Sequence, residues 1–302
     1  MKLFRKLALV LALAAMLALP ASAGAKTAVT SFYPIYMFTL NLTQGLPDIE
    51  VVNLAAPGTG CLHDYQLQTG DMKKLAAADA FLINGAGMES FLSNVFEAFP
   101  NLPVTDASAG IELLTDDGSV LSVGESESLE NAHVWLDASN AIVMVNNLAE
   151  GLKAVWPEDA DALEANRAAY TERLTALDAE LKAGLADLPH KDIITFHEAF
   201  PYFAKAYGLN VVGVVNREPG DALSPAQLSS LVSIVKQLGN PPLFIEPQYE
   251  DLAARTLSEE TGAPVYTLDP AVTGPEDPDE ARGYYEQLLR ADMAVLQEAL
   301  GD

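Results

Sequence analysis

The sequence predicts an α/β fold in which two runs of strand–helix units lie on either side of one long helix. Short apolar runs alternate with amphipathic stretches, a pattern typical of parallel strands joined by crossover helices. The longest helical pattern lies in the middle of the chain, at residues 158–188. The same alternation starts again after it, so we expect an N-terminal unit at 26–157 and a C-terminal unit at 189–302.

The N-terminal unit is predicted from apolar runs for strands and amphipathic periodicity for helices. The predicted strands are 27–32, 48–54, 80–84 and 102–106, and the predicted helices are 34–42, 68–77, 88–99 and 137–155. The loop after the second strand, at residues 55–60, holds a proline and two glycines, as turns commonly do. Asp137 is placed to cap the last of these helices.

The central helix carries one apolar stripe. Its members recur at spacings of three, four and seven residues and are Leu163, Tyr170, Leu174, Leu177, Leu181 and Leu185. Thirty residues of helix make a rod of roughly 45 Å. Such a rod is too long for one small lobe and could tie two lobes together; the alternative is an ordinary long helix packed on one side.

The C-terminal unit repeats the architecture without repeating the sequence. The predicted strands are 192–195, 210–215, 242–246 and 265–268, and the predicted helices are 198–207, 224–238, 250–261 and 279–300. Ser224 and Pro225 are typical of a cap and a first helical position.

Residues 1–25 are interpreted as a secretory signal peptide. Lys2, Arg5 and Lys6 precede an apolar run at 7–19, and small residues at 21–23 form a cleavage signal. The run is too short to span a bilayer, although an uncleaved anchor is the alternative. We therefore expect secretion across the cytoplasmic membrane to a periplasmic or other extracytoplasmic location.

The chain of 302 residues has a formal net charge of −25, and loss of the three positive residues in the predicted signal peptide brings it near −28. This argues against a nucleic-acid partner, which needs clustered Lys and Arg. The negative field attracts cations, or simply keeps an exported protein soluble. Cys61 is the single cysteine, so no internal disulfide is possible. Its thiol is a packing residue, a reactive group or a soft metal ligand.

Four polar residues fall in or near loops where parallel sheets bind ligands. They are His63, His133, His197 and Asp269. Three neutral imidazoles and one carboxylate suit a borderline cation such as Zn²⁺. No pair has the short spacing of a zinc finger, so the spacing alone is weak evidence. The alternative for each histidine is a buried, hydrogen-bonded side chain.

A set of short segments, in order and spacing, extends over nearly the whole chain after the signal peptide. They are Pro57-Gly58, His63-Asp64-Tyr65, Ala78-Asp79, Asn84-Gly85, Ala132-His133-Val134-Trp135-Leu136-Asp137, Phe196-His197-Glu198-Ala199-Phe200, Tyr202-Phe203-Ala204, Phe244-Ile245-Glu246-Pro247-Gln248 and Leu268-Asp269-Pro270. In these segments the chain resembles the metal-specific solute-binding proteins of ABC importers, the zinc and manganese cluster.

The resemblance implies two lobes, each a small and mainly parallel sheet with flanking helices, joined by a rigid long helix with the metal between them. By position, His63 and His133 come from the first lobe, and His197 and Asp269 from the second. Histidine at 197 favours Zn²⁺ over Mn²⁺, because imidazole suits zinc and oxygen suits manganese. The implied partner is a membrane permease, and we expect a monomer that binds metal without catalysis.

Two side chains, Glu198 and Glu246, are candidates to accept a hydrogen bond from a ligand imidazole. The alternative for Glu198 is that it starts a helix. His190 matches no ligand of the family and is expected at the surface. The acidic segment 116–130 lacks the histidines that many zinc members carry there. Mn²⁺ transport, a metal-stabilised adhesin and a zinc hydrolase are the alternative functions.

Overall fold

The computed structural model describes residues 25–56, 59–62, 65–115, 121–122, 130–215, 224–248 and 252–301. His63 lies outside the described residues, as do the predicted signal peptide up to residue 24 and most of the acidic segment. No helix in the described part of the chain is both long and apolar enough to cross a lipid bilayer.

The first lobe is built on a four-stranded parallel sheet in the order β2-β1-β3-β4. Its strands are β1 (Lys26–Thr30), β2 (Ile49–Asn53), β3 (Ala80–Ile83) and β4 (Val104–Asp106). Its helices are α1 (Tyr33–Leu42), α2 (Thr69–Ala76), α3 (Leu92–Ala98) and α4 (Ala138–Val155). Each parallel pair is joined by a crossover, as the alternation of strands and helices predicted.

Helix α3 begins four residues later than the predicted start at 88. The carboxylate of Glu89 turns back and accepts hydrogen bonds from the backbone nitrogens of Asn84 at 2.7 Å and Gly85 at 3.1 Å. A side chain bonded to nearby backbone in this way stabilises a turn in competition with helix. The chain around it also passes through positive φ at Ala86 and Gly87, which a helix does not allow.

The long helix is α5 (Ala160–Ala186), preceded by a 3₁₀ turn at Pro157–Asp159. Its 27 residues span about 40 Å. The predicted apolar stripe is confirmed, because its members are the fully buried residues of this helix: Leu163, Tyr170, Leu174, Leu177, Leu181 and Leu185. Helix α5 packs on α1 and α4 of the first lobe and on helices of the second lobe, so it joins the two.

The second lobe is built on a five-stranded parallel sheet in the order β5-β7-β6-β8-β9. Its strands are β5 (Leu121–Ser122), β6 (Asp192–Thr195), β7 (Asn210–Val214), β8 (Leu243–Ile245) and β9 (Val265–Thr267). Its helices are α6 (Pro201–Tyr207), α7 (Pro225–Gln237), α8 (Leu252–Thr261) and α9 (Pro278–Leu300).

Two features of the second lobe differ from the predictions. Strand β5 comes from the acidic segment that precedes the long helix, so the chain reaches the second sheet before the first lobe is complete. Two residues are too few to give a periodic signal. Helix α6 begins at Pro201 and not at Glu198, because proline suits the first helical position and disfavours helix in the residue before it. The interpretation of Glu198 as a helix start is therefore wrong.

The lobes meet along a seam of hydrogen bonds close to Trp135. Its indole Nε1 donates to the backbone oxygen of Pro270 at 2.7 Å, and its own backbone oxygen accepts from the hydroxyl of Tyr285 at 2.6 Å. The hydroxyl of Tyr33 donates to the backbone oxygen of Pro275 at 2.8 Å. One apolar core runs through the first lobe, the long helix and the adjoining face of the second lobe.

Candidate metal site

Three side chains with metal-binding atoms come together at the seam. Cys61 lies in the loop after β2, and His197 follows β6 by two residues. His133 lies just before the 3₁₀ turn Val134–Leu136, which leads into α4. Because ligands of open parallel sheets bind outside the carboxyl ends of the strands, loops after β2 and β6 are the expected places for a site.

The ligand atoms of Cys61, His133 and His197 all lie within 4.8 Å of one another. The Sγ atom of Cys61 is 3.4 Å from Nε2 of His133, and the two imidazole rings are 4.8 Å apart and nearly perpendicular. Atoms that bind one zinc ion at about 2.0–2.3 Å lie within about 4.6 Å of each other. The three atoms therefore have nearly the spacing that a shared ion requires.

The first-lobe histidine is held by Asn131. The Oδ1 atom of Asn131 accepts a hydrogen bond from the backbone nitrogen of His133 at 2.9 Å and lies 3.1 Å from its Nδ1. A proton on Nδ1 satisfies this contact and makes Nε2 the atom that carries the lone pair. The amide of Asn131 also donates to the backbone oxygen of Glu198 at 2.8 Å, which links the support to the second lobe.

The second-lobe histidine is held by a buried carboxylate. Nδ1 of His197 is 2.8 Å from Oε1 of Glu246, and both side chains are only 2% exposed. The amide of Gln248 donates to the other carboxylate oxygen at 2.6 Å. Glu246, one of the two predicted acceptors, makes this contact with His197. A proton on Nδ1 satisfies the contact and leaves the lone pair on Nε2 of His197.

Asp269 lies two residues after the end of β9, because the strand stops at Thr267, one residue earlier than predicted, and it is not in the close group of three among the described residues. Its carboxylate accepts a hydrogen bond from the backbone nitrogen of Ala271 at 2.9 Å. Burial raises its pKa to about 6, and the negative charge of Glu246 adds to the rise while the Ala271 bond opposes it. The Oδ1 atom of Asp292 accepts a hydrogen bond from the backbone nitrogen of Asp269 at 3.0 Å.

Trp135 shields the cluster from one side. Its ring is fully buried, 5.2 Å from the ring of His133, and it packs edge-on against Phe32 at 5.1 Å. The fourth histidine, His190, is exposed, so its predicted surface location is confirmed. Sequence reasoning did not single out Asn131, although its position two residues before a candidate ligand was the available signal.

The family model described as ZnuA, zinc-uptake complex component A, periplasmic, matches residues 28–299. The chain belongs to this family. The ZnuA match includes both lobes, the long helix and all three residues of the cluster, and the resemblance noted from the short segments is confirmed. The two-lobe fold predicted from the same resemblance is confirmed as well.

Three relatives place the chain within the family. The zinc-binding protein AdcA of Streptococcus pyogenes serotype M1 is 30% identical over 290 residues, which cover 91% of this chain and 56% of the relative. The chain thus spans about half the length of the curated relatives it matches first. The Zn(II)-bound ZnuA-like domain of Streptococcus pneumoniae AdcA superposes with a TM-score of 0.77 at 28% identity, covering 92% of this chain and 100% of that domain. The SBP FpvC of Pseudomonas aeruginosa in complex with Mn²⁺ gives a TM-score of 0.80 at 27% identity, covering 91% and 98%.

Proposed function

We propose that this chain is the extracytoplasmic binding component of an ABC importer, which captures Zn²⁺ and delivers it to a membrane permease. The observation that carries the proposal is the pairing of His133 and His197. They come from different lobes, are 3% and 2% exposed, and have their rings 4.8 Å apart with each Nδ1 engaged by another side chain.

The arrangement suits capture of a cation as cargo. Each lobe brings at least one imidazole nitrogen to the seam, so the ion itself becomes a link between the lobes. We propose that His63 and Asp269 approach the same ion from the first and second lobes, as the family resemblance implies. Release then requires only that the permease separate the two lobes, because donors on one lobe alone leave the ion incompletely coordinated.

Zinc is favoured over manganese by the chemistry of the donors. Imidazole nitrogen and thiolate sulfur suit Zn²⁺, whereas Mn²⁺ prefers carboxylate, carbonyl and water oxygens. The relatives named for zinc binding support the same choice, and the Mn²⁺ complex of FpvC makes manganese the alternative cargo for the same role.

The proposed role of the bound zinc is that of cargo and not that of a catalyst. A catalytic zinc site holds its metal with three protein ligands and keeps one position open for water. In the proposed site the donors approach from both lobes, and Trp135 closes one side, so the ion is enclosed. Hydrolysis of an ester or peptide that disappears on chelation would support the opposite conclusion.

The test is metal analysis of the protein purified without added ions, together with the His197→Ala variant. We expect bound zinc in the parent protein and its loss in the variant. His190→Ala is the matched control, because it removes an exposed imidazole on the approach to the same strand and should leave the zinc content unchanged. Equal metal content in the parent and the His197→Ala protein contradicts the proposed site.

A further inference from the structure

The side chain of Cys61 lies among the candidate ligands of the site. Its Sγ atom belongs to the same group of ligand atoms as the two histidines, all within 4.8 Å of one another. The shortest contact, 3.4 Å, joins Sγ to Nε2 of His133. This nitrogen is the atom that the Asn131 contact leaves with the lone pair, so sulfur and nitrogen converge on one point.

We propose that the thiolate of Cys61 coordinates the captured ion, so that the site binds its cargo through sulfur and imidazole nitrogen together. The inference rests on the proposed function and specifies the class of ion that the protein selects. Cys61, His133 and His197 supply three donors, and zinc accepts thiolate sulfur and imidazole nitrogen together in tetrahedral sites.

The contact between Cys61 and His133 indicates how the site exchanges a proton for the ion. Without metal, the S–H group of Cys61 donates to Nε2 of His133, which keeps both donor atoms directed at the same point. The arriving cation takes the place of the thiol proton, which leaves to solvent, and both sulfur and nitrogen then bind the ion. No oxidant or other reactant is needed, since one proton is exchanged for one metal bond.

A sulfur ligand changes what the site prefers. Thiolate is soft and selects Zn²⁺ among the divalent cargoes that this family carries, while Mn²⁺ gains little from it. The thiolate also brings a negative charge to the first-lobe side, where the other described support is the neutral amide of Asn131. Cys61 is partly exposed, so an ion can reach its side chain.

The experiment uses Co²⁺ as a spectroscopic substitute for Zn²⁺ in the full chain, stripped of metal with a chelator. Cys61 is the single cysteine of the sequence, so an intense near-ultraviolet sulfur-to-cobalt charge-transfer band has one possible origin. We expect this band in the parent protein. In Cys61→Ser the band should disappear while the weaker visible bands of bound Co²⁺ remain.

Competition titrations then measure selectivity. Losing a direct ligand should lower Zn²⁺ affinity by at least about 100-fold, the upper range for losing an outer-shell partner. Mn²⁺ affinity should change by less than about tenfold, because Mn²⁺ gains little from sulfur. Cys61→Ala is the second variant, since it cannot ligate at all, and unchanged metal-free melting temperatures of both variants would confirm that they fold.

The outcomes separate this inference from the proposed function. A parent protein that binds Co²⁺ without the charge-transfer band, with Zn²⁺ affinity preserved in Cys61→Ser, overturns the sulfur ligand and leaves metal capture by histidine intact. A parent protein that binds neither Co²⁺ nor Zn²⁺ overturns the proposed function itself. The band in the parent, its loss in both variants and a lowered preference for Zn²⁺ over Mn²⁺ support the inference.

Discussion

The two lobes support their candidate ligand histidines in different ways, although each lobe has a buried carboxylate near its histidine. In the second lobe Glu246 contacts His197 directly at 2.8 Å. In the first lobe the carboxylate of Glu89 accepts hydrogen bonds from backbone nitrogens. The side chain of Asn84 donates to the backbone oxygen of Ala132 at 3.0 Å, one residue before His133. One acid contacts an imidazole, and the other shapes a loop.

This difference separates stability from affinity. A carboxylate that holds a ligand imidazole raises its basicity and so acts on metal binding. A carboxylate that satisfies buried backbone nitrogens acts on folding, because unpaired buried N–H groups are costly. Substitutions in the two lobes should therefore affect different measurements, and each prediction below tests whether they do.

The largest expected effect is on stability, at Glu89 in the first lobe. Burial raises its pKa to about 7 from an ordinary value of 4.5, so the folded state favours the neutral carboxyl. The resulting contribution to stability is present below pH 4.5 and is lost as the pH rises through 7. Integrated over the shift it amounts to about 3 kcal/mol. In the Glu89→Gln variant, the free energy of unfolding should lose this pH dependence.

The measurement is denaturant unfolding of the metal-free parent and the variant between pH 4.5 and 8. The glutamine changes hydrogen bonding by an amount that does not vary with pH, so only the difference in slope matters. Glu97→Gln is the matched control, since that side chain is exposed just downstream. If the two variants show the same slope, Glu89 does not titrate as its surroundings indicate. Metal affinity of Glu89→Gln should stay close to that of the parent.

The second prediction concerns affinity and the second lobe. Glu246→Gln keeps an acceptor for His197 but removes its charge, so Zn²⁺ affinity should fall about 10- to 100-fold. Competition titration with a chelator measures the change, and Glu259→Gln provides an exposed control in α8. A loss of stability with unchanged affinity would show that this carboxylate, like Glu89, serves the fold and would remove the contrast between the lobes.

The sequence did not predict how each histidine is supported, but it predicted most of the helices and strands that position the two histidines. Periodicity predicted α5 and its buried stripe, because repeated apolar spacing along 27 residues reports one packed face. It also placed His133 and His197 in loops beside ordered elements. Strand β5 left no such signal. The contact between His197 and Glu246 depends on three-dimensional proximity between residues 49 positions apart, which a local sequence pattern does not encode.

Cys61 shows the same limit of prediction from local sequence, here within the candidate metal site. The sequence left its thiol open between packing, reactivity and ligation, because one cysteine has no spacing to interpret. The fold resolves the question of proximity by bringing Sγ within 3.4 Å of His133, which lies 72 residues further along the chain. The His63 and Asp269 ligand assignments stay predictions that come from the family resemblance.

The third prediction tests the neutral support of the first lobe. Asn131→Ala removes the acceptor that orients His133, so the ring loses its preferred tautomer and Zn²⁺ affinity should fall about tenfold, the lower end for an outer-shell partner. Asn101→Ala is the control, as an exposed asparagine in the same lobe. A larger loss than for Glu246→Gln would reverse the order and show that orientation matters more than charge at this site.

The smallest expected effect is at the seam that both lobes share. Trp135→Phe keeps a large aromatic ring against His133 and Phe32 but removes the Nε1 donor to Pro270 at 2.7 Å. Loss of one such bond should cost about 1 kcal/mol of unfolding free energy in the metal-free protein. In the proposed zinc-bound form the ion also links the lobes. Much of the cost of the lost bond affects the metal-free and the zinc-bound protein alike, so the Zn²⁺ affinity should fall by less than about threefold. A fall in affinity as large as that of Glu246→Gln would mean that the seam, and not the buried carboxylate, sets how tightly the two halves close on the ion.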